Sequence, residues 1–485
     1  MAGGKPIASN PRLAALGILK AVIIDQASLA AVMPAVANAD TSPSTHTALV
    51  KALVYGTLRH FESLHYRLSQ YLAKPFRAKD RDVEIVLLLG LFQLIHLDKP
   101  ARACVNETVE LCRALRKDWA VKVVNGVLRS ALRDEADSKA SGVPVHEHLP
   151  PSARYELPEW LLQQLRQDWP DDWKLAAAES NIQAPMTLRV NALQDTVEGY
   201  LSRLSAAGMV AQPLSNVEYG IQLEQACPVD KLPGFNEGQV SVQDEAAQLC
   251  AGLFVAALVK RHEPDIHRPL RLLDACSAPG GKTCAAIEAL LNLGYAVEMT
   301  ALDISPNRLE RVEATFERLG LTHIAATEPE RLKLRTLAAD AADLASWHTG
   351  EETFDGILVD APCSGTGVIR RHPDIKQLRR PEDVAALVGQ QTSLLDGLAR
   401  CVGVKGLLVY ATCSILRAEN DQAVARLLSV WSDFTNIAPA ELCVAFEPYA
   451  AFAKLPAFTS TDHGIQVFAA AGRHDGFFYS VIHRI

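Results

Sequence analysis

Apolar residues recur at helical spacing through the first part of the chain. Leu16, Leu19, Val22 and Ile23 share one face, and Leu49, Leu53, Leu58 and Leu64 continue the period. Asn10 before Pro11 marks a helix start, because Asn accepts from unpaired N–H groups and Pro suits the first helical position. Ile85 to Leu97 reads as a buried helix ending before Pro100; Val105, Val109 and Cys112 mark the next face, and Val124, Val127, Leu128 and Ala131 the last. No strand-like alternation interrupts them, so residues 1–140 are expected to form an all-helical domain. The stretch from Thr41 to Thr45 reads as a loop, and residues 134–152, rich in Asp, Glu, Ser, Gly, Pro and His, as a linker.

Beyond the linker the pattern mixes. Trp160 to Glu179 predicts a helix, Met186 to Val190 a strand, and Glu198 to Ala207 a helix ended by Gly208, together a small α+β domain over 150–235. From Leu270 strands and helices alternate. Strands are predicted at Leu272–Asp274, Thr300–Asp303, Ile357–Asp360 and Gly406–Tyr410, and helices up to Leu293, from Pro306 to Leu319 and from Ala385 to Cys401. Such alternation means a largely parallel, doubly wound α/β sheet, here in residues 236–485. Asp274, Asp303 and Asp360 stand at strand ends and are expected to face the edge where such sheets bind ligands.

Composition narrows the class. At 485 residues, 49% hydrophobic and 21% charged, the chain is long enough for several cores and too apolar to be mainly disordered. The start, Met1 to Lys5, lacks the apolar stretch of a signal peptide, and the longest apolar run, Ile85 to Phe92, is far short of the roughly 20 residues that span a bilayer. A cytoplasmic protein without membrane partners is expected. Ten cysteines form no C-x-x-C pair, so no metal is expected and most read as buried thiols. The net charge of -8 hides an asymmetry: residues 1–140 carry 19 Lys and Arg against 13 Asp and Glu, the remainder 29 against 43. The front domain can meet a polyanion; the acidic part must use local patches.

One stretch organises the second half. Leu272 to Thr283 reads as a strand end, a Ser-Ala-Pro-Gly-Gly turn and a helix start. Glycines let a backbone approach a ligand closely, and a helix N-terminus offers free N–H groups. It departs from a P-loop, which needs Gly six residues before Lys282, where Cys276 stands. A tight turn without a ligand is the plain alternative. Asp303 ends the next strand, where α/β sites place an acid for ribose hydroxyls; Asp340 lies in a weaker context. Cys363, in Asp360-Ala-Pro-Cys-Ser-Gly-Thr-Gly, and Cys413, in Tyr410-Ala-Thr-Cys-Ser, each follow a strand. Either alone reads as a buried structural cysteine; together, with Asp360 and the turn, they point to chemistry.

These motifs carry a resemblance. Val105-Asn-Glu-Thr-Val-Glu-Leu and Val124-Asn-Gly-Val-Leu-Arg are similar to the signature helices of the NusB antitermination-factor fold, an RNA-binding bundle; alternatively, Asn125 and Gly126 simply let two helices pack closely. Asp274-x-Cys-x-Ala-Pro-Gly-Gly-Lys-Thr, Asp303, Asp360-Ala-Pro-Cys-Ser and Thr412-Cys-Ser resemble, in order, the motif series of Sun-type RNA cytosine-5 methyltransferases. With Arg370-Arg-His-Pro-Asp-Ile-Lys and Asp475-Gly-Phe-Phe-Tyr the likeness extends to the bacterial 16S ribosomal RNA methyltransferase B (Sun/Fmu) group over nearly the whole length. It implies a Rossmann-like class I methyltransferase domain behind a small α+β domain and an all-α NusB-like domain. It further implies S-adenosyl-L-methionine as cofactor, 16S rRNA as partner, a monomer, and, by resemblance alone, cytosine 967 as target.

Carried over, Cys276, Ser277, Ala278, Pro279, Gly280, Gly281 and Lys282 line the methionine part of the cofactor, Asp303 its ribose and Asp340 the adenine, with Asp360 beside them. The resemblance makes Cys413 the nucleophile and has Cys363 assist release. The chemistry needs such groups: a thiolate adding at carbon 6 of cytosine makes carbon 5 able to accept a methyl group, and Asp360 can hydrogen-bond the ring's N3 and exocyclic amine. A thiol near pKa 8.5 is only a few per cent thiolate at neutral pH, so Cys413 needs a nearby positive charge; Lys282 is a candidate, or a solvated helix-start lysine. Arg370, Arg371, Lys376, Arg379 and Arg380 form a basic run, either a phosphate contact or a solvated face. A non-catalytic RNA-binding assembly factor and a P-loop ATPase remain as alternatives.

Overall fold

The computed structural model describes residues 10–33, 44–142, 149–350, 353–438 and 457–485. The chain's first residues, most of the loop predicted at 41–45 and the centre of the predicted linker lie outside the described residues. The chain folds as two compact units, one of residues 1–181 with 369–380, the other of residues 182–368 with 381–485.

The first unit is helical: α1 (Pro11–Ile23), α2 (Ser44–Arg59), α3 (Phe61–Tyr71), α4 (Arg81–His96), α5 (Ala101–Ala114), α6 (Ala120–Ser141), then α7 (Pro151–Tyr155), α8 (Glu159–Asp168) and α9 (Trp173–Glu179). The Asn10 side chain accepts from the N–H groups of Arg12 and Leu13, the cap its type and position predict. The apolar faces of α1 to α6 merge into one core around Leu19, Leu53, Leu88 and Leu128. Residues 134–141 are not linker but the last turns of α6, which Gly142 ends at φ +69°. Their polar side chains cover a helix surface: Asp134 accepts from the Tyr71 hydroxyl, and Glu135 pairs with Arg67. Gly126 does not bring two helices together either, since among the described residues no atom of another helix lies within 4 Å of where its Cβ would be.

The basic run is also corrected. Residues 369–380, with α15 (Ile375–Leu378), belong to the helical unit, and Arg370 and Lys376 are buried. Lys376 donates to the Arg59 carbonyl (2.6 Å) and to Asn181 (3.3 Å), and the Leu29 N–H donates to Asp374 (2.9 Å). Burial pushes the Lys376 pKa down to about 8. Lys376 ties the segment to the bundle, and neither Arg370 nor Lys376 faces solvent.

The second unit opens with a four-stranded antiparallel sheet in the order β2-β3-β1-β4, from β1 (Thr187–Val190), β2 (Ala211–Pro213), β3 (Gly220–Leu223) and β4 (Val240–Val242), with α10 (Val197–Ala206) against it. Arg189 of β1 forms a buried ion pair with Glu288 of α12, which ties the small sheet to that helix.

The large sheet has nine strands: β5 (Leu270–Asp274), β6 (Val297–Asp303), β7 (Leu332–Ala338), β8 (Phe354–Asp360), β9 (Val402–Thr412), β10 (Phe434–Asn436), β11 (Phe458–Ser460), β12 (Ile465–Val467) and β13 (Phe477–Arg484). Their order is β11-β12-β13-β9-β8-β5-β6-β7, with β10 on β13; β5 to β9 run parallel and β10 to β13 antiparallel. Helices α11 (Glu245–Val259), α12 (Gly281–Asn292), α13 (Pro306–Arg318), α14 (Leu321–Thr327), α16 (Pro381–Ala399) and α17 (Asp421–Val430) accompany it. Alternate strand residues enter opposite cores: Leu272, Leu358 and Val409 join one, Leu273, Ile357 and Leu408 the other. The antiparallel end and β7 escaped the sequence reading. β7 is an edge strand with Lys333 and Arg335 exposed, so it lacks the apolar run of central strands such as β8 and β9.

Candidate functional site

Strand order reverses between β5 and β8: β6 and β7 extend the sheet to one side, β9 and β13 to the other. The crevice at the carboxyl ends of such neighbours is where open α/β sheets take ligands. A cavity of about 880 Å³ lies there, lined among others by Cys276, Ala278, Asp303, Asp340, Asp360, Cys363 and Cys413.

The turn after β5 is built to leave this space. The Ser277 N–H donates to the Leu302 carbonyl (2.9 Å) and that of Ala278 to Asp303 (3.3 Å). Carbonyls of Ala278 and Pro279 accept from Arg308 (3.2 Å) and Thr315 (3.1 Å) of α13. Gly280 caps α12 at φ +96°, a conformation L side chains rarely adopt. Of the expected cofactor stretch, Cys276 and Ala278 therefore line the cavity, whereas Ser277, Pro279, Gly280, Gly281 and Lys282 are not among its lining residues.

The three strand-end acids part company. Asp274 is 1% exposed and does not line the cavity. It accepts from Thr283 (2.6 Å) and the Cys276 N–H (3.3 Å), bracing the turn from beneath. Burial, with the nearby Asp360 charge, raises its pKa to about 6 against its hydrogen bonds. A carboxyl raised in the fold adds stability below about pH 4, and that stability is lost as pH rises towards 6; the difference is about 3 kcal/mol. Asp274→Asn, which keeps the shape and does not titrate, is expected to flatten stability against pH across that window in urea denaturation.

Asp303 is also deeply placed, accepting from the Ser305 N–H (3.0 Å) and lying 3.4 Å from Arg308, but it borders the cavity. Asp340, exposed just past β7, borders the same cavity and accepts from the Ala342 N–H (2.9 Å). Asp360 pairs with Lys282 at 2.5 Å. Burial opposes the Lys282 charge, but the carboxylate more than offsets it and the ammonium pKa is raised. Its nitrogen lies 5.2 Å from the Phe477 ring centroid and interacts electrostatically with Cys413.

Cys363 and Cys413 follow the adjacent strands β8 and β9, and their sulfurs stand 3.4 Å apart. The hydrogen bond to Cys413 and burial push the Cys363 thiol well up, so Cys363 keeps its proton. The Gly367 N–H donates to the Cys413 carbonyl (2.8 Å), and a Cβ on Gly367 would stand 2.2 Å from the Gly476 carbonyl oxygen. The Asp475-Gly motif thus abuts the cysteine loops, and only glycines fit there.

Sequence reasoning missed several residues. Arg308 and, from α16, Gln390 and Ser393 line the cavity; Ala386, Gly389 and Ser393 repeat at helical spacing, a small-residue stripe legible in hindsight. Glu419 was also missed. It is fully buried and accepts from Ser364 and Ser414, the residues next to the two cysteines.

The chain's relatives agree with this architecture. Residues 262–483 match the family described as 16S rRNA methyltransferase RsmB/F, residues 9–133 the NusB family, and residues 157–230 the ferredoxin-like domain of RsmF/B-like methyltransferases. Ribosomal RNA small subunit methyltransferase B of Pseudomonas putida is 40% identical over 476 residues, covering 98% of this chain and 99% of its own. The Vibrio cholerae protein of that name is 36% identical, covering 98% and 97%. Among solved structures, PH0851 superposes at a TM-score of 0.72 with 20% identity, covering 98% of this chain and 99% of its own. NSun6 from Pyrococcus horikoshii, crystallised with SFG, superposes at 0.53 with 16% identity, covering 67% and 98%. The fold is thus a Rossmann-like methyltransferase domain behind a ferredoxin-like and a NusB-like domain, and the chain belongs to the ribosomal RNA small subunit methyltransferase B family.

Proposed function

We propose that this chain methylates carbon 5 of a cytosine in 16S ribosomal RNA, with S-adenosylmethionine as donor and a covalent bond from Cys413 to carbon 6. The observation that carries the reading is the thiol pair, 3.4 Å apart, on the wall of an acid-lined cavity. The residues fit the cofactor: a cavity of about 880 Å³ is of ligand size, and carboxylates accept from hydroxyl and amino groups. Asp303 would hold the ribose, Asp340 the adenine, and Cys276 with Ala278 the methionine end. When bound, the cofactor supplies a methyl group on a positively charged sulfur.

The chain's own groups do the rest. The Cys413 thiolate adds to carbon 6, and the electron pair released makes carbon 5 nucleophilic. Asp360, as a carboxylate, accepts a hydrogen bond from the exocyclic amine as the ring gains charge, while Lys282 holds that carboxylate and presents positive charge towards Cys413. After methyl transfer a base removes the carbon 5 proton, the carbon–sulfur bond breaks, and Cys363 assists this release. Bisulfite sequencing of ribosomal RNA from a deletion strain should show one protected cytosine lost, and restored by this chain. A strain that keeps every protected cytosine would refute the reading. A non-catalytic assembly factor would show no saturable heat with S-adenosylmethionine.

RNA recognition is assigned to the helical domain. Trp119, Lys122, Gly126, Arg129 and Arg133 are exposed and spaced three and four residues apart, so they form one stripe along α6. Such a stripe suits a nucleic-acid backbone, with Trp119 as a stacking surface and Gly126 leaving room for close approach. Lys122→Glu/Arg129→Glu/Arg133→Glu is expected to flatten log affinity against log salt by about 2 to 3 in slope. Filter binding checks this, and an unchanged slope would remove the stripe from the interface. We assign a cytoplasmic monomer to this reading.

A further inference from the structure

The loops carrying the two cysteines meet on one carboxyl group. Glu419 is fully buried, and its Oε1 accepts from the Ser364 N–H (2.8 Å) and the Gln391 amide (3.2 Å). Its Oε2 accepts from the Ser364 hydroxyl (2.6 Å) and the Ser414 hydroxyl (2.5 Å). Ser364 follows Cys363 and Ser414 follows Cys413; Gln391, from α16, also donates to the carbonyl of Pro362, just before Cys363 (2.9 Å). Ser364, Thr366 and Ser414 close a triangle of hydroxyls at 3.2 Å, and the Ile415 N–H donates to Thr366 (3.0 Å).

A buried carboxyl is a costly way to fill a core and is tolerated only when its oxygens are well supplied with donors. Here all four donors are neutral, and three of them belong to the residues directly after the cysteines. Few other side chains offer two oxygens, each able to take two donors, in one plane. Geometry explains the choice better than packing does.

We propose that Glu419 is a positioning residue that clamps the Cys363 and Cys413 loops together and holds the two sulfurs at working distance. The geometric half stands by itself; its effect on turnover rests on the function proposed above.

Two measurements on the full chain separate these halves. Diamide, an azo compound, takes two electrons and two protons from a pair of thiols, leaving a disulfide and a hydrazine. Its rate of joining Cys363 to Cys413, read by peptide mapping, reports their proximity whatever the enzyme does. In Glu419→Ala, with folding verified by thermal melting and calorimetric binding of S-adenosylmethionine, the cross-linking rate is expected to fall about tenfold. kcat is expected to fall about 100-fold, as misplacement by an ångström can cause, with KM for the cofactor unchanged within about twofold. Glu419→Gln, which keeps one acceptor oxygen, should recover part of both rates. Wild-type cross-linking in folded Glu419→Ala would overturn the proposal, as would lost turnover with unchanged cross-linking. If Glu419→Ala does not fold, Ser364→Ala and Ser414→Ala each remove one tether, and wild-type cross-linking in both would overturn it equally. Slowed cross-linking in a chain whose wild type methylates no RNA supports the clamp and counts against the proposed function.

Discussion

Cys413→Ala is expected to abolish methyl transfer, whereas Cys363→Ala is expected to leave the enzyme covalently joined to its RNA. The two thiols stand 3.4 Å apart, yet the proposed reaction asks different things of them. Without the Cys413 sulfur no bond forms at carbon 6, and carbon 5 stays too poor a nucleophile. Loss of a nucleophile costs on the order of 10⁴-fold or more. Cys363 keeps its proton because a hydrogen bond to Cys413 and burial favour the thiol. Without it, addition and methylation proceed but breakdown of the adduct slows. The adduct would run as a slowly migrating band that survives denaturant and disappears with RNase. Full turnover by Cys413→Ala, or the same band pattern in both variants, would sink the assignment.

Asp360→Ala is expected to lose both stability and activity, and Asp360→Ala/Lys282→Met only activity. Lys282 and Asp360 are paired at 2.5 Å, with side chains 14% and 28% exposed. Removing the carboxylate alone strands an ammonium in a partly dry site, a loss of roughly 3 kcal/mol. Removing both charges leaves no stranded ammonium, and the Met side chain can pack against Phe477, so most of that stability returns. Activity is not expected to return, because the group proposed to hydrogen-bond the cytosine is gone; losses of about 10²- to 10³-fold are typical for such donors and acceptors. Urea denaturation and single-turnover methylation measure the two effects separately. Additive stability losses in the double variant would show that the pair is not coupled.

Glu288 and Arg189 make a useful contrast. They too form a buried ion pair, but it ties β1 to α12, and neither residue lines the acid-lined cavity. Burial of charge by itself therefore does not identify the site; position at the strand ends does.

Local features were legible in the sequence. The cap at Asn10 acts within one turn of helix, and β5, β8 and β9 announce themselves through short apolar runs, residues 272–273, 357–359 and 407–410, because both faces of the sheet are covered there. The turn after β5 was legible too, since Gly280 answers a backbone conformation rather than a distant contact. Motif order was enough to mark Asp303, Asp340, Asp360 and both cysteines as candidates.

What the sequence could not decide was which side chains meet. Asp274 and Asp303 end neighbouring strands in the same way, yet one braces the turn and the other borders the cavity, because only Asp274 lies beneath Thr283. Arg370 and Lys376 read as a solvated or phosphate-binding run until the bundle buried them. The antiparallel strands β10 to β13 depend on partners far along the chain. Sequence alone determined the fold class, the reaction's candidate groups and the strand ends they occupy, because periodicity and turn chemistry act over a few residues. The tertiary structure decided that Cys363 and Cys413, fifty residues apart, share one contact held by Glu419, because that depends on β8 lying beside β9 and on a carboxyl reaching both loops at once.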